Sequence, residues 1–243
     1  MSHLLFISDL HLCHSRPAIT NSFTQFLQST ALAANALYIL GDLFEYWPGD
    51  DAITHPHFQT ITAALKHATD VGLAIFIMHG NRDFLIGKSF TDFTGVTLLD
   101  DPTEMAFFGK KIVLSHGDAL CTDDTSYQEF RAEVRTNAWQ TRFLAQSLEA
   151  RIAYIEKVRL QSEQAKSTKS MAIMDVNLEA VAALFQQFPQ TNTIIHGHTH
   201  RPKQHVQHVR DRTCERWVLG DWYEQGSCLK LDQNGIISSQ SIS

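Results

Sequence analysis

Five short apolar runs in this chain each end in side chains that bind metal ions, and this recurrence limits the possible fold more than any other feature. Leu4-Leu5-Phe6-Ile7 leads through Ser8 to Asp9 and His11, and Tyr38-Ile39-Leu40 leads to Gly41-Asp42. Residues 74–78 run into His79-Gly80-Asn81-Arg82-Asp83, residues 112–114 into Ser115-His116-Gly117-Asp118, and residues 193–195 into His196-Gly197-His198-Thr199-His200. Buried strands read as continuous apolar runs, and open α/β sheets bind ligands just beyond the carboxyl ends of their strands. Five strands are therefore expected to converge on one polar site.

Asp, His, Asn and His-x-His offer oxygen and nitrogen ligands without a thiolate, a set suited to Mn, Fe or Zn. Asp9 and His11 are two residues apart, close enough for both side chains to approach one ion. The Asp42 carboxylate has two oxygens that can bridge two ions about 3.5–4 Å apart. Of the thirteen histidines, five stand at these strand ends: His11, His116, His196, His198 and His200. A two-metal hydrolytic centre is the expectation.

A length of 243 residues suits one large α/β domain spanning 1–243. No apolar run approaches the roughly 20 residues needed to span a bilayer, and the first strand begins without a signal-like segment, so a cytoplasmic protein is expected. The four cysteines are scattered, without CxxC pairing, and read as free thiols. A net charge of -6 argues against broad nucleic-acid binding.

Along the chain, apolar residues at helical spacing predict a helix over 17–35 and a second over 56–70, each between strands. The loop 44–51 is aromatic and acidic and lies on the ligand side. Short runs at 97–99, 104–108 and 111–114 resemble a hairpin in their second half, and 204–210, 216–219, 227–231 and 235–238 read as strands joined by turns. Parallel units followed by hairpins predict two mixed sheets flanked by helices. Between them, 126–172 lacks Gly and Pro and is rich in helix formers, enough for two or three helices. From 127 to 170 eight Lys and Arg stand against five Glu, and Trp139, Phe143, Leu144, Leu148, Ile152, Ile155 and Val158 form an apolar stripe. Such a stripe serves a helical pair docked on its own sheet, a cap over the site with a basic rim, or both.

Taken together, Asp9-x-His11, Gly41-Asp42, Gly80-Asn81-Arg82-Asp83, His116-Gly117-Asp118 and Gly197-His198-Thr199-His200 resemble the motif series of the calcineurin-like metallophosphoesterases. The resemblance implies a four-layer sandwich of two mixed sheets between helices, here with a helical insert. The longer matches at residues 40–45, 79–85, 116–124, 170–177, 196–202 and 218–222 are similar to the branch of the family that acts on a UDP-linked 2,3-diacylglucosamine in lipid A biosynthesis. They imply hydrolysis of its pyrophosphate bond to UMP and 2,3-diacylglucosamine 1-phosphate. They also imply two Mn2+ per subunit, with Fe or Zn as substitutes, an in-line water nucleophile, and a monomer on the cytoplasmic face of the inner membrane.

Carried over motif by motif, one metal falls to Asp9, His11, Asp42 and His200, and the other to Asp42, Asn81, His116 and His198. Asp42, Asn81, Arg82 and His116 take catalytic roles. Asn81, Arg82, Asp124, Ser162, Lys166, Lys169 and His198 take substrate contacts. His196 and His79 are read as hydrogen-bonded histidines beside the site, and Asp83 and Asp118 as groups that orient ligands or loops. The chain departs from the wider family at Arg82, where many members carry a histidine that protonates the leaving group. Arginine cannot do so, yet UMP or a sugar phosphate leaves readily, and a fixed cation can stabilise phosphoryl charge. A phosphodiesterase for soluble substrates is a rival that an open polar site would favour. A scaffold without turnover would have lost ligands, and the set here is complete.

Overall fold

The computed structural model describes residues 2–166, 175–223 and 226–242. Its strands form two sheets. The first has β1 (His3–Ile7), β2 (Ala36–Leu40), β3 (Ala74–Met78) and β4 (Thr97–Leu99) in parallel, with β10 (Gly226–Asp232) and β11 (Ile237–Ile242) antiparallel on the far side of β1, in the order β11-β10-β1-β2-β3-β4. The second has the order β5-β6-β7-β9-β8, with β6 (Lys110–Ser115), β7 (Thr193–His196) and β9 (Arg212–Val218) parallel and β5 (Thr103–Phe107) and β8 (Lys203–Val209) antiparallel at the edges.

The period-2 alternation of strands sorts their side chains into layers. Leu4 and Phe6 of β1, with Tyr38, Leu40 and Met78, meet Phe107, Ile112, Leu114 and Ile195 of the second sheet. Leu5 and Ile7 point the other way, towards α1 (Pro17–Gln28), α2 (Pro56–Asp70) and α3 (Lys88–Thr94). On the outer face of the second sheet, Val113 and Ile194 pack on Val181, Leu184 and Phe185 of α7 (Leu178–Gln187). The result is helix, sheet, sheet, helix.

The first helix is shorter than the expected 17–35. It stops at Gln28, and a single tight turn at Ala31–Ala33 delivers the chain to β2. A 12-residue helix is about 18 Å long, nearly the roughly 17 Å of a five-residue strand, so a longer one would overshoot the sheet.

The insert forms α4 (Thr125–Val134), α5 (Asn137–Leu144) and α6 (Leu148–Lys166). Its stripe docks on the core: Phe143 is buried, Trp139 stacks on it at 4.6 Å, and Leu148, Ile152 and Ile155 pack alongside. Arg151 of α6, 1% exposed, clamps the insert to the aromatic loop through the Pro48 carbonyl and the Asp51 carboxylate. Among the described residues no helix is long and apolar enough to cross a membrane.

Candidate metal centre

Beyond β1 and β2 the two loops continue side by side. Asp9 N donates to Gly41 O at 3.2 Å, His11 N to Asp42 O at 3.0 Å, Leu12 N to Leu43 O at 2.9 Å and Glu45 N to Leu12 O at 3.1 Å. This pairing turns Asp9, His11 and Asp42 towards one another. Asp9, His11, Asp42, His198 and His200 all adopt positive φ, between 49° and 68°. Non-glycine residues seldom take that conformation, which costs of order 1–3 kcal/mol each and gathers at functional sites.

Two glycines let the loops approach. A Cβ on Gly80 would lie 2.1 Å from Asp42 Oδ1 and 2.3 Å from Asp42 N, and one on Gly197 would lie 2.3 Å from Asp9 Oδ2. Asp83, fully buried, accepts from the backbone amides of Gly80 at 2.9 Å and Leu43 at 2.8 Å, and so ties the loop after β3 to the loop after β2.

Asp9 Oδ2 accepts from Ser8 Oγ at 2.6 Å and His198 N at 2.8 Å. Its Oδ1 is buried with no hydrogen bond to it, 3.3 Å from Nε2 of His200 and 3.9 Å from Nε2 of His11. The far nitrogen of His200 sits 3.2 Å from Asp221 Oδ2, and that of His116 sits 2.9 Å from Leu40 O. Those acceptors hold the Nδ1 proton, so that each Nε2 would offer its lone pair inward to a cation that displaced its own proton, as ligand histidines require. The two Nε2 atoms of His11 and His200 are 3.3 Å apart, and His116 Nε2 is 3.1 Å from Asn81 Oδ1. Acceptors crowded in this way fit divalent cations between them.

The ligand atoms form two groups, Asp9-His11-His200 and Asp9-Asp42-His116. Asp9 belongs to both. Asp42 Oδ2 lies 3.8 Å from His11 Nε2 and Asp42 Oδ1 3.8 Å from His116 Nε2, so it too faces both sides. The His198 ring stands 5.1 Å from that of His116.

The electrostatics express the same need for positive charge. Burial, with Asp83 and Asp9 nearby, pushes the Asp42 carboxyl up to about 7. Burial opposes charge on His116 and His200, yet Asp42 and Asp9 lift the first to about 9, and Asp221 and Asp9 lift the second to about 10. Burial holds His198 neutral, down to about 3.

His196 is a buried hydrogen-bonded histidine: its Nδ1 donates to Gly197 O at 2.8 Å and its Nε2 accepts from Arg216 at 2.9 Å. His79 Nε2 bonds to Ile86 O at 2.7 Å. Asp118 accepts from Tyr127 Oη at 2.6 Å and Arg131 Nε at 2.7 Å, and so anchors α4. Asp124 caps the same helix by accepting from Tyr127 N at 3.1 Å. Arg82 stands at the edge of the centre, its amide donating to Asp42 Oδ1 at 2.8 Å. Ser162 and Lys166 fall in the last turns of α6, their side chains outside the described residues, and Lys169 lies outside them altogether. Asp221 and Glu45 were not anticipated as site residues. Gly220-Asp221 after β9 repeats the pattern of Gly41-Asp42 after β2 and was the available signal.

Two facing sheets that bring carboxylates and histidines to one rim build a candidate divalent-metal centre of hydrolytic type. The pattern of the calcineurin-like phosphoesterases matches residues 2–202, and the chain belongs to that family. A relative from Aromatoleum aromaticum named UDP-2,3-diacylglucosamine hydrolase is 50% identical over 95% of this chain and 94% of its own length. One of the same name from Escherichia coli O6:H1 is 46% identical over 96% of each. Among solved structures, the hypothetical protein PH1004 from Pyrococcus horikoshii OT3 has a TM-score of 0.52 at 8% identity, covering 100% of this chain and 88% of that one, a likeness of fold.

Proposed function

We propose that this chain hydrolyses the pyrophosphate bond of UDP-2,3-diacylglucosamine to UMP and 2,3-diacylglucosamine 1-phosphate, as a monomer at the cytoplasmic face of an inner membrane. The observation that carries the lipid reading is an open cleft of about 270 Å3 between the insert and the loop after β3, lined by Phe84, Leu85, Ile86, Gly87 and Leu144 together with His79, Arg135 and Gln140. Its wall at Phe84 follows Arg82 by two positions in the chain, and the cleft offers acyl chains a largely apolar surface beside the insert. A soluble nucleotide would leave that surface wet.

In this reading Asp9, His11, Asp42 and His200 hold one Mn2+, and Asp42, Asn81, His116 and His198 the other. The ions supply Lewis acidity and a water nucleophile at neutral pH. Asp221 and the Leu40 carbonyl keep His200 and His116 in the tautomer that offers Nε2. Arg82 stabilises phosphoryl charge as a fixed cation, and the leaving phosphate departs without a general acid. Asn81 and Arg82 contact the diphosphate, Asp124 the glucosamine, and Ser162, Lys166 and Lys169 the uridine or phosphate side, with His198 also touching the substrate. Tyr154 and Leu160 are exposed on α6, and beside the insert's basic residues they suit peripheral contact with an anionic bilayer.

The test is Mn-dependent UMP release from UDP-2,3-diacylglucosamine in detergent, beside UDP-glucosamine without acyl chains and a generic phosphodiester. Strong preference for the acylated substrate is expected. Turnover of the generic ester alone would discard the lipid reading and leave a two-metal hydrolase.

A further inference from the structure

Glu45 is a carboxylate at the rim of the metal centre, only 6% exposed, with a backbone fixed by the paired loops. Three guanidinium groups from three separate segments surround it. Arg16, in the loop after β1, reaches Oε2 at 2.5 Å; Arg159, on α6 of the insert, reaches Oε1 at 3.0 Å; and Arg82, in the loop after β3, stands 3.9 Å from Oε1. His11 Nδ1 lies 3.8 Å from Oε2 and has no hydrogen-bond partner, while the other ring nitrogen faces Asp9 and Asp42.

One negative charge set among three positive ones does not neutralise them. Their surplus, about two positive charges, remains at the rim of the metal centre. Glu45 instead fixes where the cations point. Without it the three guanidinium groups would repel one another, and long side chains so released sample many rotamers. Arg16 shows how tightly the arrangement is specified, since the nitrogen that meets Glu45 also donates to His11 O at 2.6 Å, and its guanidinium lies 4.6 Å over the ring of Tyr223. That ring in turn stacks on His11 at 5.4 Å with 5° between the planes.

We propose that Glu45 is a positioning residue that locks the insert to the metal centre: through Arg159 it holds α6, through Arg82 it aims the cation used on the phosphoryl group, and through Arg16 it ties to the backbone of His11. Glu45 stands outside both groups of candidate metal-binding atoms. The proposal rests on the functional reading above only in taking Arg82 to act on the phosphoryl group, which any phosphoester substrate of this centre would share.

The experiment is a double-mutant cycle of Glu45→Ala and Arg82→Ala in the Mn-loaded full chain, read on UDP-2,3-diacylglucosamine and on bis(p-nitrophenyl) phosphate. A metal titration of each chelated variant and a limited trypsin digestion accompany it. Glu45→Ala is expected to lower kcat by about ten- to a hundredfold in the native background, and less than about threefold once Arg82 is already alanine. Mn affinity should fall with it, and tryptic cleavage within 148–166 should quicken. Glu45→Gln, which keeps the shape without the charge, should reproduce most of the kcat loss, and it replaces the alanine variant should that one fail to fold. An equal kcat loss in both Arg82 backgrounds, or none in either, overturns the proposal. A native protein that turns over only the generic ester refutes the lipid substrate, while the cycle on that ester still decides the role of Glu45.

Discussion

Replacing Gly80 by alanine tests the geometry of the centre without touching any ligand. The added Cβ would lie 2.1 Å from Asp42 Oδ1, 2.3 Å from Asp42 N and 2.8 Å from Asp42 Cγ. Comfortable contact begins at about 3.5 Å, so atoms must part by about 1.4 Å. Asp42 cannot retreat alone: its amide is 3.3 Å from Asp83 Oδ1, and its carbonyl accepts from His11 N. The loop after β3 must therefore move, carrying Asn81 and Arg82, or the Asp42 carboxylate must swing out of the centre. Overpacking of this kind costs about 1–3 kcal/mol, which a domain of this size survives. A misplacement of about 1 Å at reacting groups costs about a hundredfold in rate, equivalent to about 2.7 kcal/mol of transition-state stabilisation. The expected outcome is a folded protein whose kcat/KM falls at least about a hundredfold and whose Mn binding, followed by calorimetry after chelation, is weakened. Gly72→Ala is the control. Its φ is +101° but nothing lies within 4 Å of the added atom, so it should lower Tm through backbone strain and leave kcat/KM intact. Gly80→Ala with native Mn affinity and turnover within threefold of the parent would refute the argument that close approach of these two loops builds the site.

Arg82→Ala should lower kcat by about a hundred- to a thousandfold with KM changed far less, and matched losses in kcat and in binding would show a uniform contact instead. His196 bears on stability against pH, because burial, with Arg216 beside it, depresses it to about 4 from the ordinary 6.5. The unfolded chain protonates this ring near 6.5 and the folded chain does not until about 4. The stability it contributes is therefore present above pH 6.5 and lost as the pH falls towards 4, by about 3 kcal/mol. Urea unfolding of the chelated protein at pH 7 and 4.5 should show a smaller loss for His196→Gln, and an identical loss would exclude this group as the cause. Arg151→Met leaves the Pro48 carbonyl without its buried donor and should destabilise the fold by about 1–3 kcal/mol and speed proteolysis of the insert; unchanged denaturant and protease resistance would show that the clamp contributes nothing.

What the sequence reveals here follows from what is local in it. The strand ends at Asp9, Asp42, His116 and His198 are legible because an apolar run followed by ligand-type residues depends on neighbours in the chain. The hairpin of β5 and β6 is legible for the same reason. α3 was not anticipated, since it is seven residues long and its first turn is held by Asp50, whose carboxylate accepts from Phe90 N at 2.9 Å across 40 residues of chain. α7 carried a readable signal, Asn177 capping a helix with Val181, Leu184 and Phe185 on one face, that went unread. The positive φ values of Asp9, His11, Asp42, His198 and His200 and the convergence of Arg16, Arg82 and Arg159 on Glu45 are products of tertiary packing that no spacing encodes.

β1, which delivers Asp9 and His11, lies between β2 and β10, and Trp222 N donates to Asp9 O at 3.2 Å. On the ribosome Asp9, His11, Asp42, Asn81 and His116 are made early, but residues 226–232 emerge more than a hundred residues after His116. Until then β1 is a sheet edge without β10 beside it. A nascent chain therefore carries most of its metal-binding groups without a shape to use them, and hydrolytic competence arrives only near the end of synthesis. A premature stop between residues 222 and 226 would remove none of Asp9, His11, Asp42, Asn81, His116, His198 and His200 and still leave β1 without its neighbour β10.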